Sequence, residues 1–110
     1  MSWRALSPEF SVAGQIALEE LIEIAQAGFK SIICNRPDRE DPGQPDFAVI
    51  AQAASTLGMQ AHHVPAVSGQ VTPEHARILA RLLQETPGPV LAYCRSGARS
   101  STMWQLAQGM

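Results

Sequence analysis

The sequence predicts an α/β fold, a three-layer sandwich in which helices cover both faces of a mainly parallel central sheet. Short apolar runs of strand length alternate with longer segments whose apolar residues recur at helical spacing. Glycine and proline clusters separate these segments. Strands that alternate with helices form parallel sheets, because a right-handed crossover returns each new strand to the sheet beside an earlier one.

Strands and helices follow one another along the chain. The predicted strands are Phe10–Gly14, Phe29–Cys34, Gln60–Ala66 and Val90–Tyr93. The predicted helices are Ala17–Ala27, Asp46–Leu57, Pro73–Gln84 and Arg99–Gln108. Gly28 and Gly58 end the first two helices, and Thr72 caps the third. Loops at the carboxyl ends of parallel strands gather on one edge of the sheet, where such folds place their functional sites.

Length, composition and charge limit the functions that the protein is expected to have. The 110 residues, 45% of them apolar, predict a single domain covering residues 1–110. A net charge of −2 provides no basic field for nucleic acid or an acidic membrane. No apolar run reaches the ~18 residues of a spanning helix, and the first residues lack an apolar signal-peptide core. We therefore expect a cytoplasmic protein with no nucleic-acid or membrane partner.

Two cysteines are too few for a disulfide framework, and their spacing to the three histidines matches no zinc pattern. We expect no metal and no cofactor. In a reducing compartment, cysteines that are not structural are candidates for catalysis or redox chemistry.

The most informative segment is the loop that connects the last predicted strand to the last helix. A thiol at the end of a strand, followed by a glycine turn that opens a helix, predicts a reactive thiolate, since backbone N–H groups and the helix dipole converge there. We expect Cys94 and Arg99 to be catalytic, while the other loop residues bind the anion. These anion-binding candidates are Arg95, Ser96, Gly97, Ala98 and Ser100.

The loop Cys-Arg-Ser-Gly-Ala-Arg-Ser resembles that of rhodanese-type sulfurtransferases and is close to the Cys-(five residues)-Arg loop of tyrosine and dual-specificity phosphatases. Over nearly its whole length the chain is similar to a bacterial family of small phosphatase-like domains, including the N-terminal domain of beta-lactamase-hydrolase-like proteins. The segments 28–38, 63–67 and 88–93 carry this similarity. The resemblance implies a dual-specificity-phosphatase-like fold and makes a persulfide dioxygenase-type protein a candidate partner.

Two departures from the phosphatase pattern favour sulfur transfer. Four residues separate Cys94 from Arg99, so that Ser100 stands where a phosphatase would carry its arginine. The loop Ser68–Val71, where these phosphatases place a general-acid aspartate, has no carboxylate. A general acid typically raises the rate of phosphoester cleavage by about 10²–10⁴-fold. Sulfite, by contrast, is a good leaving group and departs from thiosulfate without an acid.

The leading interpretation is therefore a sulfurtransferase that forms a Cys94 persulfide, with a small anionic sulfur donor and a thiol acceptor as its partners. The alternative is a cysteine-dependent phosphatase that acts through a Cys94 phosphocysteine. A non-enzymatic alternative is a thiol redox sensor or an anion-binding module.

Three further features have both a functional and a structural interpretation. Cys34 ends a strand and is a candidate redox partner of Cys94, or else a small buried hydrophobe. The acidic residues Asp38, Glu40 and Asp41 offer a displaced general acid, although we expect their loop to be solvated. Arg36 either extends the anion pocket or pairs with these acids.

Overall fold

One five-stranded sheet lies between two helical layers in the computed structural model, which describes residues 1–110. The strands are β1 (Arg4–Ser7), β2 (Phe10–Ala13), β3 (Ser31–Cys34), β4 (Gln60–His63) and β5 (Val90–Tyr93). The helices are α1 (Leu21–Gln26), α2 (Phe47–Thr56), α3 (Pro73–Glu85) and α4 (Ala98–Gln108). The strand order is β1-β2-β5-β3-β4, and β1 is antiparallel to β2 while the other pairs are parallel. The predicted α/β architecture is confirmed.

Neighbouring residues of the central strands β3 and β5 pack into two different hydrophobic cores, one on each face of the sheet. Ile32 and Leu91 belong to the cluster that includes residues of α1 and α2, whereas Ile33 and Ala92 belong to the cluster with α3 and α4. Successive side chains of a strand point to opposite faces. A parallel sheet that is covered on both faces therefore needs strands that are apolar at every position. This explains why β3 and β5 are entirely buried.

Three differences from the predicted elements are the largest, and the bounds of the other elements agree with the prediction to within two residues. Strand β1 was not predicted, because its four residues are exposed or half-buried and carry no apolar pattern. The predicted helix over 17–27 is a 3-10 turn at Leu18–Glu20 followed by α1, since the Glu20 carboxylate accepts a hydrogen bond from the N–H of Ala17 at 2.7 Å. Strand β4 ends at His63, and Pro65 beyond it has no N–H with which to continue a ladder.

The carboxyl ends of the parallel strands meet at one edge of the sheet, and backbone hydrogen bonds hold them together there. The N–H of Cys94 donates to the carbonyl of Ala13 at 3.3 Å, and that of Asn35 donates to the carbonyl of Tyr93 at 2.8 Å. This edge therefore brings the segments that follow β2, β3 and β5 into contact. None of the helices has the length and apolar character needed to cross a bilayer.

Candidate active site

Cys94 lies at the bottom of a loop whose backbone surrounds its sulfur. The N–H of Gly97 donates to the Cys94 Sγ at 3.0 Å, and the N–H groups of Ser96, Arg99 and Ser100 lie close enough to the sulfur to lower the pKa of the thiol. Burial by itself raises the pKa of this thiol, but these backbone donors outweigh burial and bring the pKa below its ordinary value. The residue is only 1% exposed. The loop is thus built to hold a thiolate.

The shape of the loop depends on two glycines. Gly97 has a φ of 94°, in the left-handed region that side chains disfavour, and it stands immediately before α4. Gly14 follows β2, and a Cβ at this position would lie 3.0 Å from the carbonyl oxygen of Arg95. The N–H of the next residue, Gln15, donates to that same oxygen at 3.2 Å. The end of β2 therefore forms a close backing for the Cys94 loop.

Arg99 is buried and committed to protein partners. Its Nη1 and Nη2 donate to the two carboxylate oxygens of Glu40, each at 2.7 Å, and Nη1 also donates to the carbonyl of Ala66 at 3.0 Å. These bonds use three of the five N–H groups of a guanidinium. The hydrogen bonds with Glu40 raise the pKa of Arg99, and the nearby Cys94 thiolate raises it further. Arg99 thus ties the Cys94 loop to Glu40 and to the segment after β4, and two of its N–H groups are not used by these three bonds.

Arg36 does not extend the anion pocket. Its guanidinium, in a side chain 2% exposed, donates from Nε to Glu40 at 2.9 Å and from Nη2 to Asp41 at 2.6 Å. Its Nη1 donates to the Gln15 side chain at 2.8 Å. An ion pair with its acidic neighbours accounts for this residue. It also anchors the segment after β3 to the segment after β2.

The charged loop after β3 is solvated only in part, because Asp38 and Arg39 are exposed while Glu40 is folded against the site. Glu40 and Asp41 are ion-paired as described, and Asp38 accepts a hydrogen bond from the N–H of Phe47 at 2.8 Å, at the start of α2. The hydrogen bonds from Arg99, against some burial, place the pKa of Glu40 below its usual range. Glu40 is therefore a carboxylate at neutral pH rather than a general acid.

The polar loop residues divide between the loop interior and its surroundings. Ser100 is completely buried, and its Oγ donates to Asn35 Oδ1 at 2.7 Å, away from the sulfur that its N–H contacts. Ser96 is exposed and accepts a hydrogen bond from the N–H of Ala98 at 3.3 Å. The Arg95 side chain is 57% exposed and lies 4.0 Å from Asp41. Arg95 is therefore the loop arginine that remains open to an incoming anion.

A groove of about 310 Å³ adjoins the loop, and Ser68, Gly69, Val71, Ala98, Arg99 and Thr102 line it. No carboxylate lines this groove, in agreement with the sequence of the loop before α3. A larger cavity of about 480 Å³ lies beside β4 and α3, and none of its lining residues belongs to the Cys94 loop. The smaller groove adjoins the Cys94 loop through Ala98 and Arg99, whereas Cys94 itself lies beneath the loop and does not line the groove.

Cys34 lies beside Tyr93 in the sheet register rather than beside Cys94. Its Sγ donates to the carbonyl of Arg36 at 3.4 Å, and both cysteines are free. Burial raises the pKa of Cys34, the reverse of the effect at Cys94. The pairing of the two thiols stays a prediction, and it requires both side chains to leave their present contacts.

Sequence reasoning did not single out Gly14 or Asn35, and it set Glu40 aside. The chain did offer a signal for all three, since Gly14 ends a predicted strand, and Asn35 and Glu40 lie in the segment that follows another at the same sheet edge. Weighting every residue after a strand end, rather than the cysteine loop alone, would have found them.

Comparisons with known proteins agree with this architecture. The family model of the beta-lactamase hydrolase-like protein phosphatase-like domain matches residues 2–110. The chain belongs to this family. A beta-lactamase hydrolase-like protein of Agrobacterium fabrum is 32% identical over 105 residues, which cover 96% of this chain and 24% of that protein. The chain thus spans about a quarter of the length of this relative.

Solved structures extend the comparison. The crystal structure of a "putative phosphatase" from Neisseria meningitidis has 38% identity and a TM-score of 0.88, covering 97% of this chain and 78% of that one. Tk-PTP in its active form is 18% identical with a TM-score of 0.73, covering 99% and 76%. At that identity the likeness concerns the fold, which is of the protein-tyrosine-phosphatase type.

The family and fold implied by the resemblance are therefore confirmed. These likenesses support a phosphatase-like, cysteine-dependent hydrolase better than the sulfurtransferase that the sequence favoured. The roles of the individual loop residues remain predictions.

Proposed function

We propose that Cys94 is the nucleophile of a cysteine-dependent phosphatase that acts on a small phosphate-bearing substrate. The observation that carries this proposal is the ring of backbone donors around the Cys94 sulfur, which lowers the pKa of the thiol. A thiolate is the nucleophilic form of cysteine, and the same N–H groups are placed to stabilise charge on an attached oxyanion. The phosphatase-like family match supports phosphorus as the atom attacked.

The reaction takes two steps. The Cys94 thiolate attacks phosphorus, the bond from phosphorus to the leaving oxygen breaks, and a phosphocysteine forms. Water then attacks the phosphocysteine, which releases inorganic phosphate and restores the thiolate. Because no carboxylate lines the groove, the leaving oxygen takes its proton from water. Phosphates with weakly basic leaving groups, such as aryl phosphates, suit this arrangement.

A second candidate is sulfur transfer, and the length of the loop favours it. With four residues between Cys94 and Arg99, the cradle is one residue shorter than the phosphatase loop and better matched to a single terminal sulfur. The thiolate would attack the outer sulfur of thiosulfate, release sulfite and leave a Cys94 persulfide. A thiol acceptor would then take the outer sulfur. In that case a persulfide dioxygenase-type protein is the partner we propose.

One experiment separates the two reactions. Hydrolysis of p-nitrophenyl phosphate and thiosulfate-dependent formation of thiocyanate from cyanide are measured in parallel on the wild type, Cys94→Ser and Cys34→Ser. Mass spectrometry of quenched reactions identifies the group on Cys94. We expect phosphate release and a phosphoryl adduct in the wild type and in Cys34→Ser, and neither in Cys94→Ser. Thiocyanate formation with a persulfide, and without phosphate release, would establish the second candidate instead.

A further inference from the structure

The contact between Glu40 and Arg99 places a carboxylate where an arginine of an anion cradle would receive its ligand. Both carboxylate oxygens are engaged, each 2.7 Å from a guanidinium nitrogen. Such a two-bond fork is the arrangement by which arginine binds a free carboxylate or phosphate. Arg99 therefore already holds an anion, and that anion belongs to the protein.

The contact between Glu40 and Arg99 is part of a larger cluster of charged side chains. Arg36 and Arg99 carry two positive charges, and Glu40 and Asp41 carry two negative charges within direct ion-pair distance. Both arginines are almost fully buried, at 2% and 5% exposure, so water screens these charges weakly. These four charges cancel, so the exposed Arg95, 4.0 Å from Asp41, is the one further cation that can balance the Cys94 thiolate.

We propose that Glu40 is a specificity-determining residue, an internal anion whose contact with Arg99 makes the Cys94 site discriminate against doubly charged reacting groups. This inference rests on the proposed thiolate site but not on whether phosphorus or sulfur is transferred. A dianion that enters the loop meets the thiolate and a neutralised Arg99, with the exposed Arg95 as the remaining cation. A singly charged group, such as a monoester monoanion or the terminal sulfur of a persulfide, meets half of that repulsion. Either reaction of the proposed function should therefore be faster with a monoanionic substrate than with an aryl phosphate dianion or thiosulfate.

The proposal predicts that Glu40 affects the binding of a dianion more than the binding of a monoanion, and this difference can be measured. The rate at which iodoacetamide alkylates Cys94 is measured by mass spectrometry with increasing inorganic phosphate, mostly a dianion at pH 7.5, and separately with nitrate, a monoanion. Wild type is compared with Glu40→Gln, which removes the charge and keeps the size. Glu74→Gln is the matched control, because Glu74 is an exposed residue of α3 paired with Arg77.

Removal of one negative charge a few ångströms away should lower the phosphate concentration for half-protection by about tenfold. The nitrate value should fall by only about threefold, the square root of that factor, because the ion carries half the charge. Glu74→Gln should change neither value. Weaker protection by phosphate in Glu40→Gln would overturn the proposal and make Glu40 a positioning residue for Arg99. Equal shifts for the two ions, or no shift, would also overturn it.

Two further variants keep the test decisive. Glu40→Asp keeps the charge and shortens the side chain, so phosphate protection should stay within about twofold of wild type if charge is the cause. If Glu40→Gln does not fold, Asp41→Asn removes a charge from the same cluster at a side chain that is 42% exposed. It should tighten phosphate protection by about threefold, and an unchanged value would overturn the proposal.

This readout is independent of turnover. If the protein catalysed neither reaction, the effect of Glu40→Gln on protection of Cys94 by phosphate would still be measurable. Conversely, an active phosphatase whose phosphate protection ignores Glu40 would retain the proposed function and remove this inference.

Discussion

The Oγ of Ser100 donates a hydrogen bond of 2.7 Å to the Oδ1 of Asn35, which joins the first turn of α4 to the end of β3. Both side chains are completely buried. The Asn35 Nδ2 in turn donates to the carbonyl of Val64 at 3.1 Å, beyond β4. This pair therefore fixes three strand and helix ends around the Cys94 loop, at the position where a phosphatase loop would carry arginine.

Replacing this serine should destabilise the fold. Ser100→Ala leaves the Asn35 oxygen buried without a donor, which costs about 1–3 kcal/mol of unfolding free energy. Urea denaturation measures the difference. Ser55→Ala makes the same change at an exposed position of α2 and should stay within about 0.5 kcal/mol of wild type. Equal effects at the two positions would show that the Ser100 bond contributes nothing.

The pH dependence of alkylation should separate the two thiols. Because backbone donors lower the pKa of Cys94, its alkylation rate should reach half of its maximum below the pH of about 8.5 that is typical of a free thiol. Cys34, whose pKa is raised by burial, should stay unmodified over the same range. Iodoacetamide labelling followed by peptide mass spectrometry assigns each rate. A Cys94 profile centred at or above the typical value would contradict the thiolate assignment.

The central strands of the sheet could be predicted from the sequence because they are buried on both faces. Ile32–Cys34 and Val90–Tyr93 are short runs of buried residues, and the one polar residue of β3, Ser31, is buried with its hydroxyl donating to the carbonyl of Pro87. Strand β1 has the opposite character, since only its pairing with β2 makes it a strand. Periodicity therefore found the elements that packing determines and missed the one that hydrogen bonding determines.

The candidate site divides in a similar way. Local chemistry was sufficient for Cys94, because the turn and the helix start that surround its sulfur are contiguous in sequence. The contact of Arg99 with Glu40 spans 59 positions and depends on how the loop after β3 folds back. No local pattern distinguishes an acidic residue that makes such a contact from one on a solvated loop. Only the three-dimensional arrangement shows it.

A methyl group on the backing of the loop should disturb the site more than it disturbs the rest of the protein. Gly14→Ala would place a Cβ 3.0 Å from the Arg95 carbonyl oxygen, a backbone atom that cannot move alone. We expect a loss of about 1–3 kcal/mol in stability and a drop of about tenfold or more in turnover. Gly109→Ala is the control, since its Cβ would meet only the Leu106 carbonyl at 3.6 Å. Unchanged turnover in Gly14→Ala would show that the loop can shift without consequence.

Glu40 should contribute to stability in a pH-dependent way. Its pKa is lower in the folded chain than in the unfolded one, so the ionised form stabilises the fold. That contribution is fully present above the unfolded pKa of about 4.3 and is lost as the pH falls through the folded pKa. Glu40→Gln should be less stable than wild type by about 1–3 kcal/mol at pH 7, and the gap should narrow from pH 6 to pH 3. A gap that stays constant with pH would contradict the ionic role, and Glu74→Gln tests whether the effect is local.

Loop length itself can be tested by inserting one alanine between Ala98 and Arg99. The insertion moves the arginine to the phosphatase spacing and adds one N–H to the ring around Cys94, while it strains the contact of Arg99 with Glu40. If length selects the reacting group, phosphate should protect Cys94 from alkylation at about tenfold lower concentration, and any sulfur transfer should fall by a similar factor. The matched control inserts alanine between Pro8 and Glu9, in the exposed turn that joins β1 to β2. Thermal unfolding of both variants confirms that they fold. If the two insertions have the same effect on both readouts, the spacing from Cys94 to Arg99 does not set the chemistry, and the argument for sulfur from loop length fails.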